Sequence, residues 1–319
     1  MGKTAYMFPG QGAQYIGMGK DFYDSYKASR QVYELSSKVT GVDIPKLCFE
    51  ENEQLNVTEY TQIALYTTEM SMYQYLVEHN CLADVHIGLS LGEYAALTAS
   101  KVMSLEDGCH VVRKRGMYME HEVPAGLGTM AAVLGMTADK IEAVLEQLGK
   151  ENEIAVANYN CPGQIVISGK KETVINAMES IKEAGAKRVI ELNVSGPFHS
   201  PMLKGAGSKL SKELDGVKVN VPEVPYVANV NADYVNENTS VDKIKELLAK
   251  QVYSSVRFEQ SIRKLIADGV TKFVEIGPGK TLTGFVKKTA KECNVAGEII
   301  TVNIEKMEDA VNYAAESER

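Results

Sequence analysis

A serine stands between two glycines in the run Ile87-Gly88-Leu89-Ser90-Leu91-Gly92-Glu93. A short apolar stretch, Val85 to Gly88, leads into it, and the helix-forming stretch Glu93-Tyr94-Ala95-Ala96-Leu97 follows. Strand, sharp turn and helix in that order are what a nucleophile elbow requires. Glycine is needed on both sides because a side chain at either position clashes as the chain reverses. Such a turn lifts the Ser90 hydroxyl clear of a sheet and sets it at a helix N-terminus, where backbone N–H groups stabilise an oxyanion. The chemistry this spacing points to is covalent acyl transfer. The plainer alternative is a tight turn with a capping serine.

A serine hydroxyl is a poor nucleophile until a base takes its proton. There are five histidines. His79, His86, His110 and His121 fall in or beside expected helices and strands. His199 lies in Val194-Ser195-Gly196-Pro197-Phe198-His199-Ser200-Pro201, where glycine and proline impose an irregular loop. A histidine there either faces solvent or turns into a cleft. Serine before histidine is the chain order of hydrolase triads. No Asp or Glu between them stands out as a third member, which leaves a backbone carbonyl to orient the ring. Gln11, between Gly10 and Gly12, either offers its N–H to an oxyanion or forms a plain glycine turn. Arg115, in Arg113-Lys114-Arg115-Gly116, reads as part of a solvated basic face. Gly116 argues for more, because glycine in a helix costs ~1 kcal/mol against alanine. Close approach of a ligand or of another backbone would justify it. Gly279-Lys280-Thr281 is not a phosphate loop, since position 274 is Val274 where glycine is required, and neither Gly-x-Gly pair has the third glycine of a dinucleotide fingerprint.

These residues need a scaffold. Residues 4–8 read as a buried strand running into Pro9-Gly10-Gln11-Gly12-Ala13-Gln14, and 21–39 and 62–77 carry helical periodicity. Ser104-Leu105-Glu106-Asp107 resembles a capping box for a helix reaching about Glu122. Strands are then expected at 129–134, 154–158, 164–168 and 188–192, with helices at 138–148, capped by Thr137, and 172–183. Asn160-Cys161-Pro162-Gly163 reads as a turn. That order, β-α-β-β-α-β, is ferredoxin-like. Further on, helices are expected at 201–214, 241–252, 258–267 and 281–290, strands at 225–229, 272–276 and 298–302, and a frayed tail at 316–319. The expected fold is α/β, a hydrolase-like, mostly parallel sheet with helices on both faces, formed by 1–125 and 195–319, with a ferredoxin-like subdomain inserted at 126–194. A ligand crevice belongs at the carboxyl ends of the parallel strands.

The chain has 319 residues, 45% hydrophobic and 24% charged, ordinary for a globular enzyme. A net charge of −8 argues against nucleic-acid binding. No apolar run is long enough to span a membrane, and the N-terminus runs straight into a strand, without a signal-peptide pattern. Five scattered cysteines show neither C-x-x-C nor a metal-binding spacing. No metal site is expected, and a reducing cytoplasm is.

Several segments taken in order carry a family likeness: Phe8-Pro9-Gly10-Gln11-Gly12-Ala13-Gln14, Gly88-Leu89-Ser90-Leu91-Gly92-Glu93, Arg115-Gly116, Asn158-Tyr159-Asn160-Cys161-Pro162-Gly163-Gln164, Gly196-Pro197-Phe198-His199, Gln251 ahead of Val256-Arg257-Phe258, and Glu275-Ile276-Gly277-Pro278-Gly279. Together they resemble the malonyl-CoA:acyl carrier protein transacylase family over nearly the whole chain. The resemblance implies a ping-pong transfer of malonyl from malonyl-CoA to the phosphopantetheine thiol of acyl carrier protein, for fatty acid biosynthesis or, alternatively, polyketide synthesis. It implies Ser90 as nucleophile, His199 as base and then acid, the N–H groups of Gln11 and Leu91 as oxyanion hole, and Arg115 as the malonyl carboxylate's partner. It further implies that the Gln251 carbonyl orients His199, that Phe198 suits a malonyl group, and that Asn160 supports the site. No cofactor is called for, because a thioester is already activated. One departure is visible: the residue before the nucleophile, often His in the family, is Leu89. It is not the base, and it would alter the pocket wall or the rate. An acyl carrier protein is usually acidic, so docking would use a local basic patch, for which Lys187, Arg188, Lys204, Lys209 and Lys212 stand out. An acyl-thioester hydrolase and a non-catalytic scaffold are the competing classes; Arg115 argues against the first, intact Ser90 and His199 against the second.

Overall fold

The computed structural model describes residues 2–293 and 297–317. Among the described residues ten strands form two sheets: β1 (Lys3–Phe8), β2 (Val85–Gly88), β3 (Gly128–Leu134), β4 (Ile154–Cys161), β5 (Gln164–Lys170), β6 (Arg188–Glu191), β7 (Tyr226–Ala228), β8 (Asp233–Val235), β9 (Val270–Ile276) and β10 (Ile300–Ile304). The larger sheet has the order β10-β9-β1-β2-β7-β8 and is parallel except for β8. Its centre, β1, is buried on both sides: Tyr6 and Phe8 point into one core, Ala5 and Met7 into the other. Helices Phe258–Ala267 and Thr281–Glu292 cover the second face, and most of the remaining helices pack over the first. Two covered faces explain why β1 reads as an apolar run rather than an alternating one.

The smaller sheet is antiparallel with the order β4-β5-β3-β6, and helices Ala138–Leu148 and Lys171–Glu183 cross over between its strands. This is the ferredoxin-like order. In β3, Ala131 and Val133 face those helices, whereas Met130 and Ala132 face the larger sheet's crevice. Strand β4 runs on through Asn160 and Cys161, where a turn was expected, and only Pro162 and Gly163 make the reversal. Its outer edge is tied to the large body: Tyr159 N–H donates to Val256 O at 2.9 Å, and Val256 N–H to Ala157 O at 2.8 Å.

Two further expectations are corrected and one is extended. The single helix expected over 21–39 is two helices, Lys20–Ser25 and Lys27–Thr40, parted by an extended Tyr26 whose ring packs 4.8 Å from that of Tyr75. The helix expected over 62–77 is present but begins four residues earlier, as Thr58–Glu78, and is buried nearly all round. Thr137 makes no side-chain cap, whereas Ser104 and Ser240 accept from Asp107 N–H and Lys243 N–H. Helix Ile44–Phe49, edge strand β8 and helix Met307–Ser317 were not anticipated. Glu316 and Ser317, expected to fray, continue that last helix, and 318–319 lie outside the described residues. Among the described residues no helix is long and apolar enough to cross a membrane. Cys48, Cys81, Cys109 and Cys161 are buried and Cys293 half-buried.

The crevice forms where β1, β2, β7 and β9 end. Its tightest point is the turn after β2. A Cβ on Gly88 would lie 1.9 Å from the Gly92 carbonyl carbon, and one on Gly92 2.0 Å from Phe8 O. Neither neighbour is a flexible side chain. Gly88→Ala and Gly92→Ala should each lower the unfolding free energy by about 3 kcal/mol, read as a drop in the urea midpoint. Wild-type midpoints would show that the turn is not packed this way.

Candidate active site

Ser90 occupies the left-handed region, at φ 54°, in the middle of the three-residue bend between β2 and helix Gly92–Ala99. Such a conformation costs a non-glycine residue about 1–3 kcal/mol and persists only where its surroundings enforce it. Asn229, just past β7, does so. Its Oδ1 accepts the Ser90 N–H at 2.8 Å, and its Nδ2 donates to Gly88 O at 2.7 Å.

His199 is 3% exposed, so its loop turns inward. Its Nε2 lies 2.7 Å from Ser90 Oγ, and its Nδ1 lies 2.8 Å from Gln251 O. A carbonyl only accepts, so Nδ1 carries the hydrogen and Nε2 is left as the acceptor facing the serine. Burial, then the charge of Arg115, pushes the imidazole pKa down to about 4, against hydrogen bonding at the Gln251 and Ser254 backbone. The ring is therefore neutral at ordinary pH, with Nε2 available to accept a proton.

Arg115 lies on helix Leu105–His121 and is 1% exposed. The solvated basic face is thus excluded for this residue. Gly116 is explained too: a Cβ there would meet Glu59 Cα at 3.0 Å and Thr58 O at 3.1 Å, so another backbone passes close by. The Arg115 Nη1 donates to Gln62 Oε1 at 2.6 Å, and Nη2 donates to Gln251 Oε1 at 2.8 Å and Ser90 Oγ at 3.1 Å. The guanidinium carbon stands 5.1 Å over the Tyr94 ring. Its Nε–H is buried and donates to no acceptor. Nε and Nη2 share one edge of the guanidinium, the edge a carboxylate grips with both oxygens.

A layer of residues that the sequence did not single out holds these groups in place. Gln251 Nε2 donates to Ser90 O at 2.7 Å and to Glu93 Oε2 at 2.8 Å, and Asn229 N–H donates to the same Glu93 oxygen at 3.2 Å. Burial raises the Glu93 pKa to about 7, opposed by those hydrogen bonds and by Arg115. Gln62, Glu93, Tyr94 and Asn229 are the residues missed. Glu93 was within reach, as the last residue of the elbow motif.

Ser90, His199, Arg115, Gln11, Leu91, Leu89, Phe198 and Asn160 all line one cavity of about 850 Å³ between the two sheets. That volume suits a ligand of coenzyme or drug size. The N–H groups of Gln11 and Leu91 donate to no protein acceptor among the described residues. Asn160 Oδ1 is buried without a partner. Lys187, Arg188, Lys204, Lys209 and Lys212 are exposed, and Lys209 pairs with Glu122 at 2.7 Å. Among the described residues no group of three or more His, Cys, Asp or Glu is placed to hold a metal ion.

Residues 5–316 match the family described as the acyl transferase domain, so fold and site define an acyltransferase. The malonyl CoA-acyl carrier protein transacylase of Bacillus subtilis is 47% identical over 290 residues, 90% of each chain. The crystal structure of the malonyl CoA-acyl carrier protein transacylase from Clostridium perfringens is 41% identical, with a TM-score of 0.92 over 99% of this chain and 97% of that one. A malonyl-transacylase solved in complex with a type II PKS acyl-carrier protein is 31% identical, with a TM-score of 0.92 over 98% and 99% of the two chains. The chain belongs to the malonyl CoA-acyl carrier protein transacylase family.

The environment of His199 has a measurable consequence. Its folded pKa lies below the ordinary 6.5, so the unfolded chain binds the extra proton first as pH falls. Stability from this group is full above pH 6.5 and is lost between there and about 4. Nitrogen NMR of the imidazole should show His199 neutral at pH 5.5 and titrating near 4, and Arg115→Met should move that titration upward. A wild-type His199 titrating at 6.5 would contradict this burial.

Proposed function

We propose that Ser90 carries malonyl from malonyl-CoA to the phosphopantetheine thiol of acyl carrier protein, supplying extender units for fatty acid biosynthesis. The observation that carries this reading is the meeting of His199 Nε2 and Arg115 Nη2 on one serine oxygen, at 2.7 and 3.1 Å, in the crevice between the two sheets. A hydrolase needs the first contact. A transferase selective for an acyl group that ends in a carboxylate needs both.

In the first half-reaction His199 Nε2 takes the Ser90 proton, and Oγ attacks the thioester carbonyl carbon. The oxyanion settles against the N–H groups of Gln11 and Leu91. The carbon–sulfur bond breaks, His199 returns the proton to the coenzyme A sulfur, and a malonyl ester remains on Ser90. In the second, the carrier protein's thiol gives its proton to His199 and attacks that ester, and Ser90 regains the proton as it leaves. Throughout, Arg115 grips the malonyl carboxylate by its Nε and Nη2 edge. Gln251 fixes the tautomer of the base, Phe198 closes the pocket beside it, and Asn160 offers its unpartnered oxygen to substrate. Leu89 stands on the wall where relatives often carry histidine. Every proton and charge is assigned to a residue, so the reaction calls for no cofactor. The docking patch is reduced to Lys187, Arg188, Lys204 and Lys212, since Lys209 is engaged by Glu122. We place the chain in the cytoplasm, in keeping with its buried cysteines.

Mass spectrometry after mixing with malonyl-CoA should find a malonyl adduct on the wild type and none on Ser90→Ala. No adduct under any condition would remove every enzymatic reading, and rapid loss of malonyl-CoA without carrier protein would favour the hydrolase. Arg115→Ala should cost malonyl transfer about 2–5 kcal/mol, roughly 30- to 5,000-fold, while sparing acetyl transfer. Equal loss of both would make Arg115 structural.

A further inference from the structure

Gln11 sits between Gly10 and Gly12, the residue type with the greatest backbone freedom. A backbone N–H placed there is useful only if something stops the loop from drifting. The Gln11 side chain leads away from the reacting atoms into a chain of hydrogen bonds that the acyl-transfer steps do not use. Gln11 Nε2 donates to Thr58 Oγ at 3.1 Å. Thr58 Oγ lies 3.0 Å from Ser195 Oγ, and Ser195 Oγ donates to Glu120 Oε2 at 2.7 Å. The same Glu120 oxygen accepts the Thr58 N–H at 3.2 Å. A carboxylate only accepts, so the direction of every bond is set: Ser195 spends its hydrogen on Glu120, and Thr58 must therefore donate to Ser195. The chain ends on a charge, which strengthens each bond along it.

The four members come from four segments of the site. Gln11 is on the loop after β1. Thr58 opens the helix that carries Gln62. Ser195 is on the segment that delivers His199, and Glu120 is on the helix that carries Arg115. We infer that Thr58, Ser195 and Glu120 are positioning residues that hold the Gln11 loop against the His199 segment, so that the oxyanion donor and the base are registered to each other. This rests on the acyl-transfer reading of Ser90. The coupling is specific to the oxyanion, which forms alike on malonyl and acetyl thioesters, and so it differs from the role of Arg115.

Single-turnover quench kinetics of Ser90 acylation test it. Gln11→Ala, Thr58→Val and Ser195→Ala should each slow acylation by about 10- to 100-fold, the scale of a small misplacement in a site. The loss should be equal for malonyl-CoA and acetyl-CoA, with KM little changed and the His199 titration unmoved. Gln11→Ala combined with Ser195→Ala should be no slower than the slower single variant, because both break one chain. Glu120→Gln keeps an acceptor oxygen and should recover most of the rate that Glu120→Ala loses. Undiminished rates in Gln11→Ala and Ser195→Ala, multiplied losses in the double variant, or a loss confined to malonyl-CoA would each overturn the inference. An absent adduct on the wild type would instead overturn the acyl-transfer reading itself.

Discussion

A guanidinium charge almost wholly removed from water sits beside the serine hydroxyl, and the rest of the site is arranged around that fact. A buried ion is costly unless its surroundings replace the lost hydration. Here the replacement is mostly neutral. Gln62 and Gln251 turn their amide oxygens to Arg115, and Tyr94 turns its ring face. Once the Gln251 oxygen is committed, its amide nitrogen must point the other way, onto Ser90 O and Glu93. The main chain of the same residue then holds the imidazole. Satisfying one cation thereby orients the nucleophile's backbone and the base's tautomer. Among the described residues Arg115 bonds no carboxylate, and its unpartnered Nε–H leaves room for the anionic acyl group proposed above.

The fold brings these pieces together by stopping several parallel strands at one level. Ser90 follows β2, Gln11 follows β1, and Asn229 follows β7, so three loops with no sequence proximity meet over the edge of one sheet. The smaller sheet closes the crevice from above with Met130, Ala132, Asn158 and Val166. Its strand β4 is hydrogen-bonded to the large body at Val256, five residues after Gln251. The roof of the cavity and the support of the base therefore share one short segment.

How much of this was legible depended on how local each signal is. Gly88 marks the elbow through a local clash, with the Gly92 backbone four residues on, whereas Gly92 and Gly116 face backbone that is distant in sequence, at Phe8 and at Thr58–Glu59, and were legible only because glycine is out of place next to a helix-forming run. The strand order of the smaller sheet followed from alternating patterns and turn residues. His199 and Arg115 were ambiguous from their types alone and gained meaning only with the ordered motifs. The Gln251 carbonyl is a backbone group, so no side-chain type announces it. Asn229 and Gln62 escaped notice because a buried amide is recognised by partners far away in the chain: Asn229 meets Ser90 across 139 residues and Arg115 meets Gln62 across 53. In helix Thr58–Glu78 periodicity revealed the helix but not its full burial, because its threonines and serines are bonded within the core. Tyr26 broke a helix through a ring contact that no periodicity records.

Both residues proposed to exchange the proton hold left-handed backbones, Ser90 at φ 54° and His199 at φ 58°. Glycine would relax each of them. A selection that scored only survival of heating would be free to trade the proposed nucleophile and base for residues that relieve this strain, and nothing in it would protect turnover. Any engineering of heat tolerance in this chain has to be coupled to turnover from the first round.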